Sequence, residues 1–231
     1  MEISNAENQF DKSQKIKNII LIFGILIVLF IMFFSKIYRN IPKVKVESLE
    51  NISEPIQTDY SDTIYMDVKD SHFKIDRIAK YEITGRILEV HKFFRSKILS
   101  ENNFNNLSPL DLGIGWGKLS PKDSYSDILE FYSLGSRFLY FKINDISKIS
   151  VDEVSNSFSN NHIIPANKKI EKQALKLRKN DYVKIEGYLV NVYQTIDNKN
   201  FYWTTSTSRN DTGDGACEII YVTNITLLKE K

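Results

Sequence analysis

Sixteen consecutive residues near the N-terminus, Ile19 to Phe34, carry no polar side chain. That run is close to the roughly 20 apolar residues that a bilayer-crossing helix needs. Ile37 and Tyr38 extend it, and Lys17 and Lys36 can snorkel their charges to the interface. No stripe of polar residues marks a solvent-facing side, as a buried soluble helix would have. No small-residue cleavage site follows, because the next residues are Ser35, Lys36, Ile37, Tyr38 and Arg39. The pattern therefore predicts a tail over 1–18, an uncleaved transmembrane helix over 19–38 and a contact with the lipid bilayer through 19–38. Residues 39–70 read as a linker, with Pro42, Pro55 and many Ser, Asp and Glu; Val44 and Val46 could form a short strand within it.

The remaining residues, 71–231, read as one β-rich soluble domain. Lys80 to Phe94 alternates, with Tyr81, Ile83, Gly85 and Ile87 on one face. Leu88 and Val90 then shift to the other face, which predicts a bulge in a long, bent strand. Leu107 to Leu119 carries glycines at 113, 115 and 117 and reads as a loop anchored by Trp116. Ser136 to Ile143 predicts a strand buried on both faces. Lys168 to Arg178 has helical spacing. Tyr182 to Tyr193, Phe201 to Ser206 and Glu218 to Leu228 predict three more strands. The fold class that follows is mainly β with one or two short helices, behind one transmembrane helix. A small barrel or a sandwich fits, and a five-stranded barrel of the oligonucleotide/oligosaccharide-binding type is one such arrangement. An immunoglobulin-like sandwich has too few regular strands to support it.

Charge narrows the partners. The chain has 31 basic and 29 acidic residues, too balanced for the basic face of a nucleic-acid binder. Around the apolar run, Lys12, Lys15 and Lys17 precede it and Lys36, Arg39, Lys43 and Lys45 follow it, so the positive-inside rule does not decide orientation. A short tail ahead of a downstream domain is the usual signal-anchor arrangement, with the domain outside the cytoplasm. The single cysteine, Cys217, allows no internal disulfide and no multi-thiolate zinc site. No cofactor signature is present: the glycines around Trp116 lack the spacing of a phosphate cradle.

Three constellations could carry chemistry. The first is Ser159 to Ala166, where His162 is a candidate base or ligand beside Pro165; a histidine bonded to loop backbone is the plainer reading. The second is Ser206 to Glu218. It holds Arg209, Asp211, Asp214, Cys217 and Glu218 among turn formers. Its Asp211-Thr212-Gly213 lacks the hydrophobic approach and second carboxylate of an aspartic protease, and its acidic spacing lacks the closing glutamate of a calcium loop. The plainer reading is a tight turn, with Arg209 clamping a carboxylate. The third is Cys217 with His162, a nucleophile and base if the fold brings them together.

Three stretches resemble a group of uncharacterised bacterial single-pass membrane proteins. They are Ser108-Pro109-Leu110-Asp111-Leu112 with Gly115-Trp116-Gly117, then Asn161-His162-Ile163-Ile164-Pro165-Ala166, then Arg209 with Asp211-Thr212-Gly213 and Gly215-Ala216-Cys217-Glu218. The resemblance implies a bacterial inner-membrane protein with its soluble domain periplasmic or otherwise extracytoplasmic. It brings no activity. The expectation is a membrane-anchored, non-catalytic binding or assembly module at the cell envelope, meeting an envelope protein or a glycan. Trp116, Arg137, His162, Arg209, Asp211 and Glu218 are its candidate ligand-binding residues. The alternative is an envelope hydrolase or transferase using His162 with Cys217 or Asp211. A cytoplasm-facing regulatory domain is the third reading.

Overall fold

A computed structural model describes residues 2–37, 40–69, 71–93, 104–134, 137–208 and 215–231, with side chains from residue 14 onward outside 33–37. It divides into two compact units, 1–40 and 41–231. The first is a single helix, α1 (Glu2–Ile37). Within it Gln14–Met32 is long and apolar enough to cross a membrane, and none of that window is buried in protein.

The second unit is mainly β. In chain order its elements are β1 (Lys43–Val46), β2 (Ile56–Val68), β3 (Ser71–Lys92), α2 (Phe104–Leu107), β4 (Leu110–Gly115), a 3-10 turn over Gly117–Leu119, β5 (Leu129–Tyr132), β6 (Tyr140–Ile143), α3 (Val151–Ser155), β7 (Phe158–Pro165), α4 (Lys168–Ala174), β8 (Tyr182–Ile196), β9 (Lys199–Trp203) and β10 (Glu218–Glu230). Pairings run from β3 to β4, β7, β10 and β8, and β8 pairs again with β3. The large sheet is therefore partly closed into a ring. The β7–β10 contact is parallel and the other four ring contacts are antiparallel. β1 adds to β10, β2 to β3 and β9 to β8. β5 and β6 form a separate hairpin sheet.

Alternation explains where the core sits. Ile83, Ile87, Leu112, Ile114, Ile163, Ile185, Ile220 and Val222 share one buried cluster, with residues from all five ring strands. Residues one position along point to the other face. There Ile164, Val192 and Ile219, with Phe73 and Ile75 brought to that face by the register shift between Arg77 and Ala79, pack with Phe104, Leu107, Phe201 and Trp203 in a second cluster. Each fully buried Ile or Leu contributes about 1.5–3 kcal/mol relative to exposure, so both faces of the ring are anchored by packing. The bulge expected near the face shift of β3 lies between Ile87 and Glu89, against β4. It turns Leu88 into a third cluster with Leu119, Ile128 and Phe131.

Several sequence expectations change. Residues 56–68, read as part of a linker, supply β2, whereas Val44 and Val46 form the short strand expected of them, β1. β2 is polar on its exposed face, which is why it resembles a tether, yet it pairs with β3 along most of its length. Leu110 to Gly115, read as loop, is a strand buried at every position. Its glycines accept close neighbours: a Cβ on Gly113 would sit 2.4 Å from Leu139, and one on Gly115 would sit 2.7 Å from Leu88. The strand expected over Ser136 to Ile143 begins only at Tyr140 and is not buried on both faces, since Tyr140 and Lys142 are exposed. The helix expected over Lys168 to Arg178 ends at Ala174, after an N-cap in which Asn167 accepts from the Lys169 and Ile170 N–H groups.

Ring closure depends on Gly187. A Cβ there would lie 2.1 Å from the Tyr221 carbonyl oxygen and 3.0 Å from its carbon, both backbone atoms of β10. Gly187→Ala must therefore push β8 and β10 apart. The expected cost is about 1–3 kcal/mol, read as a lower thermal unfolding midpoint by circular dichroism.

Candidate functional site

The site begins with the period of two in β4 and β7. Leu110, Leu112 and Ile114 turn into the ring, so Asp111 and Gly113 project from its outer face. In β7, Ile163 turns inward, and His162 and Asn160 project outward. The register sets Asp111 beside His162 and Gly113 beside Asn160. On the other side of β7, Ile219 is level with His162. Cys217, two residues before Ile219, therefore reaches the same face.

Asp111 and His162 are 4% and 3% exposed. A carboxylate this deep requires compensation. Arg137 supplies it, donating from Nη1 to Asp111 Oδ1 at 2.6 Å. Its other donors go to Asn105 Oδ1, at 3.1 Å from Nε and 2.8 Å from Nη2, and to the Ser108 carbonyl at 2.7 Å. The guanidinium lies between the Phe93 ring, 4.1 Å away, and the Trp203 ring, 4.9 Å away. Burial pulls its pKa below the ordinary arginine value, and Asp111 draws it back up. Every N–H direction of Arg137 thus goes to protein, and its role here is to hold Asp111.

His162 Nδ1 comes within 2.8 Å of Asp111 Oδ1. The ring is not turned to aim an N–H at that oxygen, and Nδ1 and Asp111 Oδ2 are buried without hydrogen bonds. Strand register fixes the separation, whereas a modest ring rotation fixes the angle, so the contact is one of opposed groups poised to bond. The imidazole tilts onto Trp203, with centroids 4.8 Å apart. His162 is also among the residues that line a cavity.

Two cavities open over this face. The larger, about 450 Å³, is walled by Trp116, Tyr140, Phe141, Val151 and Phe158, with Asn160 and Glu218 among its polar groups. The smaller, about 310 Å³, is lined by Arg137, His162, Tyr202, Trp203, Thr204 and Gly215. Phe138 and Cys217 line both. Cys217 is not disulfide-bonded and is partly buried. Asn160 Nδ2 lies 3.3 Å from its Sγ and 2.7 Å from the Arg137 carbonyl oxygen. The side-chain amide so ties the sulfur to the segment that carries Arg137.

Helix α3 forms part of the larger cavity's wall through Val151 and Ser155. A capping box starts it: Ser150 Oγ accepts from the Glu153 N–H, and the Glu153 carboxylate accepts from the Ser150 N–H. Lys118 also pairs with Glu153. Lys118 first, then the Ser150 donors, hold the Glu153 pKa at about 2.

Of the residues singled out from sequence, Trp116, Arg137, His162, Cys217 and Glu218 thus line these two cavities. Arg209 and Asp211 lie outside the described residues. Asp111 lies in the first of the three stretches and joins the site only through the fold. An acidic residue alternating with leucines, as in Leu110-Asp111-Leu112, is the signal that could have found it, had the stretch been read as a strand. Asn160 and Trp203 carried no such signal. Among the described residues, no group of three His, Cys, Asp or Glu side chains is placed to hold a metal ion. No family model, curated protein or solved structure matches this chain.

Two outcomes follow. Asp111→Ala strands a buried guanidinium and is expected to cost about 3–5 kcal/mol in urea unfolding, with Asp111→Asn costing less because acceptors remain. Glu153 has a folded pKa below its ordinary 4.5. Its contribution is therefore present above about pH 4.5 and is lost as pH falls toward 2. The stability gap between the wild type and Glu153→Gln should narrow across that window in thermal melts.

Proposed function

We propose that the protein is a membrane-anchored binding module of the bacterial cell envelope, and that its ligand is a small amphipathic molecule. One observation carries the reading: two cavities of different character meet at Cys217 and Phe138. The larger is walled by aromatic and aliphatic side chains, which suit an acyl chain or ring system. The smaller presents His162, Tyr202 and Thr204, which suit a polar head. A pocket that is mostly apolar with a few convergent polar groups is the usual form of a small-molecule site. A glycan would want more polar groups around the larger volume than this wall offers.

Architecture supports the same place by analogy. Taken in chain order, the ring strands are β3, β4, β7, β8 and β10, with α4 between the third and fourth. Five-stranded barrels of the oligonucleotide/oligosaccharide-binding type bind ligands on the face of their second and third strands, under the loop joining the fourth and fifth. Here those strands carry Asp111, Asn160 and His162, and that connection carries Trp203, Thr204 and Cys217. The likeness concerns where a ligand sits, not which ligand. Two of the three stretches that resemble the bacterial single-pass group fall on β4 and β7, and Gly215 to Glu218 of the third line the same cavities.

The helix window Gln14–Met32 supports a bilayer anchor. On this reading it lies in the bacterial inner membrane with the domain outside the cytoplasm. A reporter active only outside the cytoplasm, fused after Lys231, is expected to give signal; signal from a cytoplasm-only reporter instead would make the domain a cytoplasmic one.

Ligand class is tested on the full chain in lipid nanodiscs with a diazirine-bearing dodecanoic acid. Photolabelling is expected on peptides covering 138–141 or 151–160 as well as the anchor. Excess dodecanoic acid should suppress it there, and Phe138→Asp, which sets a carboxylate against a bound acyl chain, should reduce it at least about tenfold. Labelling confined to 14–32 would sink the reading, and suppression by an oligosaccharide rather than by dodecanoic acid would replace it with a glycan site.

A further inference from the structure

We propose that Cys217 is a nucleophile for acyl transfer, with His162 as its base and Asp111 and Arg137 as positioning residues. The proposal rests on the two cavities being the ligand site, and adds a reaction to it. Four observations place the parts. Cys217 and His162 line one cavity. His162 is 3% exposed, and its Nδ1 is buried without a hydrogen bond. That Nδ1 faces Asp111 Oδ1 at 2.8 Å, and Asp111 is itself fixed by Arg137 at 2.6 Å. Asn160 Nδ2 fixes the sulfur at 3.3 Å.

These are the parts of a nucleophile, a base and a group that orients the base. A carboxylate beside Nδ1 favours the tautomer with its proton there. Nε2, on the opposite side of the ring, is then the basic atom. The position of Cys217 selects the substrate. It borders the apolar cavity on one side and the polar one on the other, so an acyl chain in the first places its carbonyl at the sulfur. The chemical class is an ester of an apolar acid.

In the first step His162 Nε2 takes the thiol proton as the sulfur attacks the acyl carbonyl carbon. A C–S bond forms, the ester C–O bond breaks, and the alcohol leaves with the proton from His162. Water then attacks the thioester carbonyl with His162 again as base. A C–O bond forms, the C–S bond breaks, and the proton returns to sulfur. The net change is ester plus water to acid plus alcohol.

Cys217 is the chain's single cysteine, which makes the test clean. The full chain in nanodiscs is treated with p-nitrophenyl octanoate. The expected result is a burst of p-nitrophenolate with one octanoyl group added to the intact mass, absent from Cys217→Ser. Its rate should exceed that of N-acetylcysteine at the same pH by at least about tenfold, and His162→Gln should remove that excess. Asp111→Asn should shift the rate–pH profile, which a purely structural role would not do; the charged groups in play are Arg137, Asp111, His162 and Glu218. Melting curves of each variant report folding, and the wild-type excess over N-acetylcysteine stands as a test even if one variant fails to fold. No adduct, or acylation at the N-acetylcysteine rate, would overturn the nucleophile. Dodecanoate photolabelling without an adduct removes the reaction and leaves the binding site, whereas an adduct without photolabelling does the reverse.

Discussion

The structure depends on one close approach, where β10 passes over the bare backbone of Gly187. That crossing lets β10 pair with β8 on one side while it pairs with β7 on the other. Without it the sheet would remain open between its first and last ring strands. The interior cluster would lose one wall, because Ile220, Val222, Ile225 and Leu227 all belong to it. The same crossing delivers Cys217 to the level of Asn160. Closing the core and assembling the cavity are thus consequences of one steric allowance.

Around that frame the outer face departs from simple packing. An aspartate and a histidine are buried, and an arginine partly so, where apolar side chains would cost less. They are held by mutual charge and by hydrogen bonds to Asn105 and Ser108. Two aromatic rings flank the guanidinium and a third contact ties the imidazole to Trp203. Such an arrangement narrows the orientations these groups can take. A surface that served only to shield the ring would not need it.

The sequence disclosed the long alternating strands and the apolar helix, because period and run length survive in a single chain. Leu88 announced the bulge by changing face. Other parts were hidden for identifiable reasons. Gly113 and Gly115 signal a loop by composition, yet they sit in a strand because neighbouring side chains need their space. β2 shows little alternation in its first half because that half is mostly exposed on both faces, and just Ile64, Met66 and Val68 alternate onto the second cluster. The site was half legible. His162, Cys217 and Trp116 stand out as rare chemistry, but their convergence requires β4, β7 and β10 to be neighbours, and 52 residues, holding α4, β8 and β9, lie between the end of β7 at Pro165 and the start of β10 at Glu218.

The parallel pairing of β7 with β10 also shapes how the domain comes into being. Contacts between segments so far apart in sequence form late and slowly, after the entropy of closing long loops has been met. β1 makes its sheet contact with β10 alone, so an early segment waits for a late one. During synthesis the chain must therefore hold β3, β4, β7 and β8 with an unpaired edge until β10 emerges from the ribosome. In that interval the exposed edge is open to mispairing, and the thiol arrives together with the strand that ends it.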